Sequence, residues 1–288
     1  MADSVTWDEL APQLARALGE PVSGGNPLTP GWSSRITWDA LGERTGPLVV
    51  KARRGERARE KTQWSADHLP LLGARGYPVP TISWHGMIDV QRGRWHVTVQ
   101  NRLPGRPLLT LDNRMLEEVL RLIGRQADAG IPAGDRDFTG YIANVLFDDW
   151  DDVWADALRV DDAVCARIRH WLQPVWGLKL PPADFAHNDL NLSNLLTNGE
   201  TITGIVDWDE FALGSRALDL IVLAFDCERD GTRSAADRLL SEATAVVGDD
   251  GLRCLVSYRA LATLAEDARE GKPPQADVRI ISALLDRP

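Results

Sequence analysis

The segment HNDLNLSNLLTNGETITGIVDWD, residues 187–209, decides how this chain is read. It sets His187, Asp189, Asn194, Asp207 and Asp209 within one short stretch. The runs Leu192 to Leu196 and Ile202 to Trp208 have strand composition, with a turn between them. Such a hairpin is expected to bring Asn194 and Asp207 together at its open end. One amide and one carboxylate, both oxygen donors, suit a hard cation such as Mg²⁺. Asp189, just before the first strand, is expected to face the same space. Asp and Asn are also common turn residues, so the weight falls on their joint spacing: five residues from Asp189 to Asn194, then thirteen to Asp207. That spacing matches phosphoryl transfer, in which an Asp accepts the acceptor hydroxyl's proton while a downstream Asn and a second Asp hold the metal.

Working outward, residues 7–19 have helical spacing, and residues 21–31 (PVSGGNPLTPG) are rich in turn formers. Arg35 to Leu41 and Leu48 to Ala52 read as strands around a turn at Gly42 to Gly46. A helix is predicted from Arg57 to about Ala74, closed by Gly76 and Pro78. Strands are predicted again over Thr81 to His85 and Arg94 to Gln100. The segment NRLPGRPL, residues 101–108, reads as a linker. Beyond it helices dominate, over Asp112 to Ala129, Asp162 to Trp171 and from Ser215 nearly to the end. Strands first and helices afterwards predict an α+β protein of two lobes, residues 1–101 and 102–288, with a ligand in the cleft between them.

Composition narrows the partners. A net charge of -10 argues against nucleic acid, whose phosphates need clustered Lys and Arg. The longest apolar stretch, Leu218 to Phe225, is too short to span a bilayer, and Met1 to Leu10 has no apolar leader. Cys165, Cys227 and Cys254 are odd in number and far apart, which fits neither a disulfide framework nor a zinc site. A cytoplasmic protein, monomeric or homodimeric, is expected.

HNDLNLSN resembles the H-G-D-x-x-x-x-N loop of the aminoglycoside phosphotransferase and choline kinase family, and VDWDEFALGSRALDL resembles that family's I-D-W-x…D-L segment. VVKARR, YPVP and VTVQNRLPGRPL extend the likeness upstream, so that it covers roughly residues 25–225. The resemblance implies a protein-kinase-like fold with a strand-rich first lobe, Asp189 as catalytic base, and Asn194 and Asp207 as Mg²⁺ ligands. It implies that Lys51 meets the donor phosphates, paired with a glutamate of the following helix, Glu60 or else Glu56. Ser33 and Ser34 fall in its phosphate-covering loop, and Gln100, Asn101 and Arg102 in the hinge that takes the nucleotide base. His187 supports the catalytic loop and Asp219 braces it. In FDDWDDVWADAL (147–158), Asp149, Asp152, Trp150 and Trp154 are candidates for the acceptor, against a solvated helix start with both tryptophans in the core. Asp209 stands between a place beside the metal, a contact to substrate and plain exposure. The chain departs from the family pattern at Asn188 (usually glycine), Asn191 (often histidine) and Asn101 (often glutamate).

The implied activity is transfer of the γ-phosphoryl of ATP or GTP to a hydroxyl. The bias of arginine over lysine points to a GC-rich bacterium and hence to an antibiotic acceptor (aminoglycoside, macrolide, nucleoside or peptide). Choline-like alcohols or sugars are the metabolic alternative, and a non-catalytic nucleotide-binding protein is the other. A protein kinase is disfavoured by the missing activation loop and glycine-rich loop, and hydrolases by the absence of G-x-S-x-G and H-E-x-x-H.

Overall fold

The computed structural model describes residues 5–28, 35–91, 93–132, 134–148 and 152–287. In chain order the elements are α1 (Trp7–Leu18), β1 (Val22–Pro27), β2 (Arg35–Gly42), β3 (Gly46–Arg53), α2 (Glu56–Ala74), β4 (Ile82–Val90), β5 (Gly93–Asn101), β6 (Arg106–Pro107), α3 (Asn113–Gly124), α4 (Phe138–Phe147), α5 (Asp152–Val160), α6 (Asp162–Leu172), β7 (Asp184–Ala186), β8 (Leu195–Thr197), β9 (Ile202–Ile205), β10 (Ala212–Gly214), α7 (Arg216–Asp230), α8 (Arg233–Glu270) and α9 (Gln275–Leu285). The protein is α+β, with a strand-rich N-terminal sheet and a helical C-terminal part. The chain forms two compact units: Met1–Arg106 with Leu196–Asp209, and Pro107–Leu195 with Glu210–Pro288. Most of the hairpin β8–β9, which forms a three-stranded sheet with β6, thus falls in the first unit together with the residues as far as Asp209.

The first unit is built on an antiparallel sheet of order β1-β2-β3-β5-β4. Strand alternation sorts its two faces. Leu48, Val50 and Ala52 of β3, with Val97 and Val99 of β5, join Leu10 and Leu14 of α1 in one apolar core. Lys51 and Arg53 lie on the other face, where Lys51 is opposite Thr98 in the register. There the Thr98 hydroxyl meets that of Thr62 on α2 at 3.3 Å. α1 starts on a reciprocal capping box between Thr6 and Glu9. The turn-rich segment at residue 21 holds a strand after all: β1 pairs with β2, and an irregularity between Gly24 and Asn26 absorbs the glycines. Deep in the sheet, burial lowers the His96 pKa to about 4, so the ring is neutral at pH 7.

The second unit packs helices around α7, whose residues from Ala217 to Phe225 are all buried. A helix apolar on every side belongs in a core. α8 covers it and bends at Gly248, which has φ 71° and ψ 174°. The short strands β7 and β10 pair antiparallel at its centre. Cys165, Cys227 and Cys254 are free and buried, and burial pushes their thiols up to about 11, 12 and 11. No described helix is long and apolar enough to cross a membrane.

Candidate active site

The first unit gathers charge just after β9. The chain leaves β9 and enters a left-handed turn at Asp207, φ 65°. A side chain with a Cβ is strained there, and such strain concentrates at functional positions. The next residue holds the turn: Trp208 is buried, donates its indole N–H to the Ile205 carbonyl at 2.8 Å, and meets Tyr77 edge-on. On either side of it the carboxylates turn to β3. The Lys51 ammonium donates to Asp207 Oδ1 at 2.9 Å and to Asp209 Oδ1 at 3.2 Å. Arg53 donates to Asp209 Oδ1 as well. A buried lysine needs such partners.

Lys51 is therefore held by Asp207 and Asp209, and not by Glu60. The inward face of α2 runs through Thr62, Ser65, Leu69 and Leu72, and Glu60 lies off that stripe in solvent. Asp209 is likewise no exposed residue: its side chain is 13% exposed and carries both cations. A small cavity beside the cluster is lined by Lys51, Arg53, Lys61, Thr62, Thr98 and Gln100, among others. Gln100 thus reaches it, whereas its hinge neighbours serve the sheet. The Asn101 side chain accepts the Thr81 N–H at 2.6 Å, and Arg102 pairs with Asp39. Ser33 and Ser34 lie outside the described residues, as do Asp149 and Trp150.

In the second unit, the segment HNDLNLSN follows β7. Asn188, like Asp207, has positive φ, at 66°. That explains why glycine is usual there, and asparagine is a residue that tolerates the left-handed region. Its amide group donates to the carbonyls of Ala186 at 3.2 Å and Glu210 at 2.9 Å. Asp219, fully buried in the first turn of α7, accepts the backbone N–H groups of His187 at 2.9 Å and Asn188 at 2.8 Å and the Gln126 amide at 2.8 Å. Burial pushes the Asp219 carboxyl up, while the charge of His187 and these three donors pull against it. Asn191 accepts the Asn194 N–H at 3.2 Å, and the Asn194 side chain donates to the Asp189 carbonyl at 2.9 Å. With its nitrogen so engaged, the Asn194 amide presents its oxygen the other way. Leu192 is anchored through its N–H to Asp226 at 2.8 Å. The run expected as a strand from Leu192 is a 3₁₀ turn as far as Asn194, because Asn191 caps it.

The loop leaves the Asp189 side chain 42% exposed, with Arg259 of α8 at 3.9 Å. Both line a cavity of ≈ 540 Å³, within the range of small-molecule sites. Its walls carry Asp226, Asp230, Glu266, Asp267 and Asp277 against Arg229, Arg259 and Lys272. None of these eight stands in a motif. The only hint in the sequence is a charge or an acid among small apolar residues, as in YRALATLAEDARE. The acceptor candidates Asp152 and Trp154 do not line this cavity. Trp154 is core: it is 5% exposed, donates its N–H to the Val145 carbonyl at 2.8 Å, and has Arg169 over its ring. Asp152 is exposed in the first turn of α5.

Among the described residues no three His, Cys, Asp or Glu side chains are grouped to hold a metal ion. The Asp207 carboxylate and the Asn194 amide each offer oxygen of the kind that Mg²⁺ takes. Few protein ligands are what this cation takes when phosphates and water complete its shell.

Residues 24–254 match the model of the phosphotransferase enzyme family. No curated protein matches the chain. Solved structures share its fold. A thermostable mutant of aminoglycoside phosphotransferase APH(4)-Ia, in ternary complex with ADP and hygromycin B, is 15% identical over 96% of this chain and 98% of that one, with a TM-score of 0.68. Macrolide 2'-phosphotransferase MphH from Brachybacterium faecium is 17% identical over 98% of both chains, with a TM-score of 0.58. The GDP and kanamycin complex of APH(2")-IIia is 16% identical over 92% and 91%, with a TM-score of 0.59.

Proposed function

The chain belongs to the phosphotransferase enzyme family, and from that premise we propose that it transfers the γ-phosphoryl of ATP or GTP to a hydroxyl of an antibiotic. Asp189 is the catalytic base. One observation carries the reading: the exposed Asp189 carboxylate stands at a cavity where it and five further acids outnumber three bases. Such a wall favours a cationic, polyhydroxylated acceptor. The loop that holds Asp189 is tied through Asn191, Asn194 and Asp219, so the base is positioned before substrate arrives. Lys51 meets the donor phosphates. Asn194 and Asp207 hold Mg²⁺, which neutralises charge on those phosphates when bound. Gln100, which lines the cavity beside Lys51, meets the bound nucleotide. Residues 1–101 serve mainly donor binding and residues 102–288 catalysis and acceptor binding, in a cytoplasmic monomer or homodimer.

The test is a Mg²⁺-dependent transfer screen with ATP and GTP against kanamycin, hygromycin B, a macrolide, choline and simple sugars. Mass spectrometry finds products heavier by one phosphoryl group. The expected result is an antibiotic product that Asp189→Ala makes about 10²–10⁴-fold more slowly, with nucleotide affinity kept. Phosphorylated choline or sugar without an antibiotic product would overturn the acceptor assignment. An Asp189→Ala variant of full activity would overturn the base.

A further inference from the structure

Lys51 has a companion in the VVKARR stretch to which the family likeness gives no role. Arg53 follows it by two residues on the same face of β3, and its side chain is 13% exposed against 8% for Lys51. Both cations end on one atom, Asp209 Oδ1. Arg53 bonds it through Nη2, and the Arg53 Nε–H is buried with no hydrogen-bond partner. A guanidinium has five donors in a rigid fork that matches the oxygens of phosphate. A buried donor left unmade is costly. The adjoining cavity has three cations, Lys51, Arg53 and Lys61, against the single carboxylate of Asp209, and the hydroxyls of Thr62 and Thr98 stand beside them. Its chemistry is that of an oxyanion site.

We propose that Arg53 is a second donor-phosphate residue beside Lys51, and that Asp209 is the internal counter-ion which the nucleotide's phosphates displace. The inference rests on the kinase reading of this site. Asp209 bridges both cations and, with Asp207 on Lys51, balances the buried pair of like charges. A di- or triphosphate offers the same cations more oxygens and more charge, and bidentate contact to the fork. Asp209 then competes with the donor for Lys51 and Arg53, while Asp207 is left to the metal.

Titration calorimetry with ADP, GDP and the parent nucleosides, without and with Mg²⁺, decides this on the full chain. Arg53→Ala is expected to weaken binding of the diphosphate by about tenfold, the loss of one charge-assisted contact, and to leave nucleoside binding as it is. Arg53→Lys, which keeps the charge and loses the fork, restores part of the affinity and serves if the alanine variant does not fold. Asp209→Asn is expected to bind the diphosphate several-fold more tightly in the absence of Mg²⁺ even as its melting temperature falls. If the variants melt lower but bind ADP and GDP as the wild type does, Arg53–Asp209 is a structural ion pair and the inference is overturned while the kinase reading stands. Equal losses for diphosphate and nucleoside overturn it too. A wild-type chain that binds none of these nucleotides overturns the kinase reading itself.

Discussion

Replacing Asp219 by asparagine tests whether one buried carboxylate holds the catalytic loop. Asp219 is fully buried, and its two oxygens accept three N–H groups: Oδ2 from His187 and Gln126, Oδ1 from Asn188. Asparagine keeps the shape but has one oxygen. Its better orientation serves His187 and Gln126 and points an NH₂ at the Asn188 N–H. One buried donor is then unpaired, at about 1–3 kcal/mol, and two bonds lose their charge assistance, at about 1 kcal/mol each. The total is about 3–5 kcal/mol, a large share of the roughly 5–15 kcal/mol that a folded chain has. For a unit of this size the melting temperature moves about 3 °C per kcal/mol, so a fall of about 10 °C is expected in differential scanning calorimetry. Hydrogen exchange adds a local readout, since the His187 and Asn188 amides lose protection. Asp189 follows them directly in the chain, so the transfer rate is expected to fall as well. A variant that melts within about 2 °C of the wild type, with both amides still protected, would refute the claim that Asp219 braces the loop.

Two further outcomes follow from burial. Burial, with the Asp277 carboxylate beside it, raises the Asp267 pKa to about 6. A carboxyl raised in the fold contributes stability that is full below its unfolded value near 3.8 and is lost as pH rises through 6. Asp267→Asn, neutral throughout, is therefore expected to gain on the wild type by on the order of 1–2 kcal/mol more at pH 7 than at pH 4.5; the same difference in melting temperature at both pH values would refute it. Trp154→Ala is expected to cost about 3–5 kcal/mol in urea unfolding, as a core truncation does, while Trp154→Phe leaves the acceptor KM unchanged; a raised KM in the phenylalanine variant would return Trp154 to the acceptor site.

Much of this protein was legible before any coordinates. Strand periods in the first hundred residues and helical periods later set the α+β class, because backbone alternation is a local property. HNDLNLSN and VDWDE announced phosphoryl chemistry through residue types at fixed spacing. Asn188 was legible only as a departure. Its left-handed φ shows why the position favours glycine and how the asparagine side chain compensates through two carbonyls.

What tertiary structure alone decided is partnership. Glu60 was the natural counter-ion for Lys51 by sequence order, yet a helix buries one stripe, and α2 spends its inward face on Thr62, Ser65, Leu69 and Leu72. The carboxylates that reach Lys51 come from 156 and 158 residues away. No local pattern encodes a contact of that separation; it exists because the segment after β9 packs with the N-terminal sheet. For the same reason Arg259 and the acids of α7, α8 and α9 around Asp189 stood in no motif. Each is an ordinary helical charge until the fold turns it toward the cavity. Sequence by itself determined which chemical groups this chain has and the periods of its elements. Closure of the chain in three dimensions decided which of those groups meet, because burial and charge pairing depend on distance in space and not along the chain.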